Sequence, residues 1–192
     1  CKSTKENTCG RMHLSARIAR SKIMEHKFNK LRGPFPGGLV KWIIAQVDGA
    51  RAFVVPFVAA PHYKTRLDSL FPNSWGKKIE ALDSGAVRCL LQIDGVIHSG
   101  IALPNEEDGL NKSFDADKAF IRACQQFGLG QYLQYLTGRW VDYDPTEQKV
   151  TSPAPILPAW ALPGGLGYPA NVPGKPQPAA KAGAKSVQKA AR

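Results

Sequence analysis

Lys118 and Arg122 stand four residues apart in "SFDADKAFIRACQQFGLGQYLQYL", so on a helix they share one side and present two cationic heads together. On pattern alone such a pair is more often a solvated basic face than an anion-holding one, and in neither case does it break bonds. Residue types able to do covalent chemistry are not grouped. His13, His26, His62 and His98 are scattered, and no GxxxxGK[ST] or GxSxG occurs, so neither a phosphate loop nor a nucleophile elbow is present. Glu106, Glu107 and Asp108 are consecutive in the loop "PNEEDGLN", where solvation accounts for them better than paired-carboxylate catalysis. Cys1, Cys9 and His13 lack a fourth ligand and match no common zinc-finger spacing. The chain is expected to be no enzyme, with no catalytic residue, no metal and no cofactor.

Charge points the same way. The net charge is +11, and the sequence pI is near 9.7. A basic protein is rewarded for meeting a polyanion, because neutralised phosphates release their counterions. Nucleic acid is the leading expectation, ahead of an acidic membrane. The charge is unevenly spread. Residues 1–32 hold nine Lys or Arg against Glu6 and Glu25, and residues 151–192 hold Lys175, Lys181, Lys185, Lys189 and Arg192 with no acid. The middle is close to neutral, with 12 basic and 13 acidic side chains.

These divisions set the expected organisation: a basic arm over 1–30, a folded core over 31–145 and a Pro/Ala/Lys-rich disordered tail over 146–192. The tail holds eight of the 15 prolines, which remove donors and forbid regular helix. It is a solvated linker, or else a basic tether for nucleic acid or a docking peptide with Ile156, Leu157, Trp160 and Leu162 as anchors. Leu14 to Leu31 reads as a basic amphipathic helix with Leu14, Ile18 and Phe28 on one side. An organelle address and a nucleic-acid-binding arm are both open for it. No apolar run is long enough to cross a bilayer, and no hydrophobic signal core stands near the first residue, so a soluble, intracellular protein is expected, cytoplasmic or organellar. Four cysteines in a chain of 192 residues make no disulfide framework, and Cys89 and Cys124, in apolar stretches, are expected as reduced core residues.

The elements that must position the cations are legible in the middle. In "LVKWIIAQVDGARAFVVPFV" the pair Asp48-Gly49 separates two β-rich runs, the residues a tight hairpin turn favours, and Pro56 is expected to shorten the second run. "AAPHYKTRLDSLF" predicts a helix with Pro61 in its first turn and Tyr63, Leu67 and Leu70 spaced for burial, ending before Pro72. "SWGKKIEALDSGAVRCLLQIDGVIHSGIAL" predicts a three-stranded antiparallel meander. Its middle run alternates Val87, Cys89, Leu91 and Ile93 with Arg88, Leu90 and Gln92. The basic helix follows, with Ala116, Phe120, Ala123 and Phe127 as its buried stripe and Lys118, Arg122, Gln125 and Gln126 opposite. Gly128 and Gly130 end or bend it, and Tyr132, Tyr135 and Trp140 come next.

Read in order, "GPFP" before "VKW", then "VVPFV", "RLDSLFPNSW", the meander and "DKAFIRACQQFGLGQYLQYL" resemble the single-strand annealing proteins of the Rad fifty-two superfamily. Within it they resemble the bacterial DNA damage response proteins of the DdrA type and their phage counterparts. The resemblance spans Leu31 to Tyr143. It implies an α+β fold in which a curved antiparallel sheet, hairpin plus meander, packs against a long helix, with subunits closed into a homo-oligomeric ring. It also implies a groove for single-stranded DNA, in which basic side chains hold phosphates, bases stay open for pairing and annealing needs no covalent step. Carried over residue by residue, DNA contacts fall on Arg122, with Lys118 beside it, on Lys112 before the helix, and on Lys41 next to Trp42. Arg66 falls on the arginine of "RLD", where a carboxylate pair and a DNA contact are both open. The family's Lys-Arg pair is Ile121-Arg122 here, its Ser-Asp is Asp117-Lys118, and Gln131 replaces an arginine near the glycine turn. The resemblance therefore assigns the protein to recombination-dependent DNA repair, with a recombinase or single-strand-binding protein as a further partner through the tail and no membrane. An RNA-binding or nucleoprotein-scaffolding module on the same fold is the alternative, and a nuclease lacks the clustered ligands it would need.

Overall fold

The computed structural model of the chain describes residues 21–104, 112–165 and 168. Residues 21–32 are helical (α1). Two strands follow, β1 (Lys41–Asp48) and β2 (Arg51–Phe57), then α2 (Ala60–Leu70) and the strands β3 (Trp75–Ala81), β4 (Val87–Ile93) and β5 (Val96–Ala102). Helix α3 (Lys112–Gln126) precedes β6 (Arg139–Asp144) and β7 (Lys149–Val150). The architecture is α+β, and every strand pair is antiparallel.

Hydrogen bonding divides the strands into a four-stranded sheet, β1-β2-β6-β7, and the three-stranded meander β3-β4-β5. The hairpin and the meander thus share no ladder. The hairpin gains β6 and β7 from the segment after α3. Pro56 does not shorten β2, which runs to Phe57 with Pro56 opposite Trp42. The reason is one-sided pairing: β6 meets β2 only from Arg51 to Val54, so at Pro56 the missing N–H costs no ladder bond on that side.

The core is the meander's inner face closed by helices. Cys89, Leu91 and Ile93 are fully buried, as are Ala119, Phe120, Ala123 and Cys124 of α3. Small residues let the helix lie close. A Cβ on Gly100 of β5 would stand 2.3 Å from both the Ala119 carbonyl oxygen and the Ala123 nitrogen, so only glycine fits under the crossing. Helix α3 stops in a Schellman motif: Gly128, at φ +88°, donates its N–H to Gln125, and Leu129 donates back to Cys124. Helix α2 begins with Pro61 in its first turn and buries Tyr63 and Leu67, as its spacing predicts, whereas Leu70 is only partly buried. Burial pushes the thiols of Cys89 and Cys124 up, so both are protonated, free and inert.

The folded part extends beyond 31–145 at both ends. Phe28 of α1 lies 5.3 Å from the ring of Phe71 and 6.3 Å from that of Phe127, and Met24 also packs against the core, so residues 21–30 form a helix docked on the core by one face and are not a separate arm. Leu14 and Ile18 lie outside the described residues. At the other end, Ala161 is fully buried, Leu157 and Trp160 pack against the core, and β7 extends the sheet. Residues 146–165 are therefore not a disordered tail. Their prolines stiffen an extended segment whose apolar residues cover the turn at Gly37, which faces Leu162 and Leu157.

Candidate nucleic-acid interface

The expected contacts lie on three different elements, β1, α2 and α3, and several are already engaged. Arg122 is exposed on the flank of α3 next to β5, where its guanidinium donates to the carbonyl of Ile101. Lys118, one turn earlier, is half-buried with its ammonium 3.8 Å from Asp115. Lys112 is the first residue of α3. Lys41 and Trp42 open β1 in the other sheet, the lysine exposed and the indole half-buried.

Arg66 has the most defined surroundings of the six. Its guanidinium donates to the backbone carbonyls of Gly33 and Pro34, the second at 3.0 Å, and lies 4.0 Å over the ring of Phe35. Neither expected partner is a carbonyl. Asp68 instead accepts from the indole N–H of Trp75 at 2.9 Å. A planar fork suits two carbonyls in succession, so Arg66 pins the turn entering β1. Tyr132 pins the same turn from the other side, with its hydroxyl accepting from the Phe35 N–H at 3.2 Å.

Two lysines absent from the sequence-based expectation do meet. Lys77 of β3 and Lys64 of α2 reach the ring of Phe120 from different elements, at 4.7 and 5.9 Å. Phe120 is itself fully buried, so it anchors the cations rather than offering a stacking face. Trp75, half-exposed and 6.3 Å from Phe120, supplies the accessible aromatic surface. This shelf exists because α3 packs over β4 and β5 and leaves β3 uncovered. Ile79 on the same inner face is consequently 38% exposed, although its cross-strand partner Cys89 is buried. Asp117 tempers the shelf by pairing with Lys64 at 3.9 Å.

The outer face of the meander carries a second charged group. Arg88 and Lys78 both pair with Glu80, at 2.5 and 3.1 Å, and the Arg88 hydrogen bond holds the Glu80 carboxyl below its ordinary range. No cluster of three or more His, Cys, Asp or Glu suited to a metal occurs among the described residues. Cys1, Cys9 and His13 lie outside them. No helix of the described residues is long and apolar enough to cross a membrane.

What the arrangement offers is cations and one half-open indole on a shelf, a chemistry suited to a flexible polyanion carrying flat bases. Sequence reading missed Lys64 and Lys77 because they lie on different elements. The one local signal was a lysine at Lys77 on the inward register of a strand.

Comparison with known proteins adds an independent line. The chain is 31% identical over 139 residues to the single-stranded DNA-binding protein DdrA of Deinococcus deserti, an alignment covering 70% of this chain and 69% of that protein. It is 32% identical over 140 residues to the protein of the same name from Deinococcus radiodurans, covering 70% and 66% of the two chains. No family model matches, and no solved structure matches.

Proposed function

We propose that this chain, which belongs to the DdrA family, binds single-stranded DNA and anneals complementary strands without covalent chemistry. The observation that carries the reading is the similarity over 70% of the chain to proteins named for binding single-stranded DNA rather than for catalysis. In this reading Lys64, Lys77 and Trp75 form the shelf on which the strand rests, with Lys118, Arg122, Lys112, Lys41 and Trp42 as further contacts along its path. Arg66 belongs to the scaffold, since both arms of its guanidinium are used by the chain itself. Placement in the Rad fifty-two superfamily, and a role in recombination-dependent repair, are part of the same proposal.

A homo-oligomeric ring is part of it too. Strand β1 is an edge strand of eight residues, with Ile43, Ile44 and Val47 exposed at 40, 41 and 47%. Long apolar edges of this kind invite pairing with another chain. The basic ends, residues 1–20 and 166–192, would add phosphate contacts and a steep salt dependence to a nearly neutral core.

The decisive experiment follows annealing of two complementary, fluorescently labelled oligonucleotides with the intact chain and with a Lys118→Ala, Arg122→Ala double variant that still assembles. Acceleration by the intact chain and its loss in the variant are expected. Binding without acceleration would instead mark a scaffold, and tighter binding to an RNA strand at matched salt would mark an RNA-binding protein. A fragment of residues 21–165, which keeps α1 and the packed segment at Ala161, should retain assembly and lose most of its DNA affinity. Unchanged affinity would refute the role of the ends.

A further inference from the structure

Helix α2 has a second flank, turned away from Lys64, and there it forms a cleft with α1. One part, of about 360 Å³, is lined by Lys30, Leu39, His62 and Arg66 among others. The next, of about 540 Å³, is lined by Lys22, Ile23, His26, Lys27 and Lys30, with Leu70 and Pro72 across from them. Lys30, Ser69 and Leu70 belong to both, so the two parts make one trough.

Its rim and floor differ in chemistry. No Asp or Glu lines either part. Among the described residues Lys22, Lys27 and Lys30 make no ion pair, whereas Lys64 and Lys118 both do. The floor is aliphatic, with Ile23 58% exposed and Leu70 and Pro72 beside it. Lys22, His26 and Lys30 follow one row of α1 at steps of about 6 Å and span about 12 Å, from 1.5 Å of rise per residue. That length matches roughly four residues of extended polypeptide.

We propose that this trough docks a short acidic peptide segment of a protein partner, one that carries at least one apolar side chain. The carboxylates meet the lysine row and the apolar side chain covers Ile23 and Leu70. Nucleic acid fits less well. Phosphates would leave the aliphatic floor bare, and the largest ring in the lining, Phe35, is 1% exposed beneath Arg66, so only the small imidazoles of His26 and His62 are left for bases. The proposal goes beyond DNA binding and does not depend on it.

The test uses the full chain and a fluorescein-labelled peptide, Glu-Glu-Asp-Asp-Leu-Phe, followed by anisotropy. Reversing the row with Lys22→Glu and Lys30→Glu should weaken binding about tenfold or more. Ile23→Ser, at an exposed position, should weaken it about fivefold while circular dichroism and affinity for oligothymidylate stay unchanged. Three results would overturn the proposal: no binding of the peptide, equal binding of Glu-Glu-Asp-Asp-Ser-Ser, or a matching loss of oligothymidylate affinity in Ile23→Ser. The second would reduce the trough to an unspecific cationic surface, and the third would make it part of the nucleic-acid path.

Discussion

Strands β3 to β5 and strands β1, β2, β6 and β7 use the same antiparallel pairing and similar aliphatic residues, but they meet water differently. In the meander, Val87, Cys89, Leu91 and Ile93 alternate strictly, and α3 covers the face they share. In the hairpin sheet, Ile43 and Ile44 are adjacent, point to opposite faces and remain 40 and 41% exposed. The difference lies in the covering helix. Under α3 the apolar strand residues become stability; in the hairpin sheet β2 still buries Ala52 and Val54, and it is the outer strand β1 whose apolar residues become a surface for another molecule.

The two regions should therefore respond to substitution in opposite ways. The largest effect is expected at the helix crossing. Gly100→Val must push α3 off β5, since its Cβ already meets backbone, and should cost roughly 3 kcal/mol or more in chemical denaturation. Leu91→Ala, in the same closed face, should cost about 3 kcal/mol by leaving a cavity that thermal unfolding detects. Either variant unfolding like the parent would undo the assignment of the core to the meander.

Arg66→Lys should cost about 1–2 kcal/mol, because an ammonium cannot hold both carbonyls as the fork does. Affinity for single-stranded DNA, measured on the folded fraction, should not change. A large loss would return Arg66 to the DNA path. Lys77→Ala should weaken DNA binding by about 0.5–1 kcal/mol and, by leaving one phosphate unneutralised, lower the slope of log affinity against log salt by about 0.7. An unaltered salt slope would place the strand elsewhere. The smallest effect on stability belongs to the hairpin: Ile44→Thr should shift unfolding by less than about 0.5 kcal/mol. Its consequence should appear in sedimentation, as weaker self-association. A variant that unfolds early instead would show that β1 is core after all.

Much of the fold is legible without coordinates. Pro61, Tyr63 and Leu67 announce α2, Asp48-Gly49 and Asp94-Gly95 announce tight turns, and the alternation in "VRCLLQI" announces a half-buried strand. The close packing of α3 is announced by its alanines, although Ala119 and Cys124 join the buried set and Ala116 is only partly buried. The segment after residue 145 is not legible as structure. Its prolines state that it is extended, and only tertiary contact decides that Leu157 and Leu162 pack at the Gly37 turn and Trp160 against the core. The candidate site is legible as a type of chemistry but not as a place.

The sequence by itself determined the hairpin, the meander and the helices around them, the basic balance of the ends and the lack of any grouped catalytic motif, since these depend on residue type and on neighbours within a turn or two, whereas β6 and β7 were not legible in it. Tertiary structure decided which cations are spent and which are available. Arg66 meets carbonyls 32 and 33 residues away, Arg122 meets one 21 residues away, and Lys64 meets the carboxylate of Asp117 across two helices. Such pairings are set by distances in space, because a charge is satisfied by whichever partner lies within a few ångströms, however far along the chain.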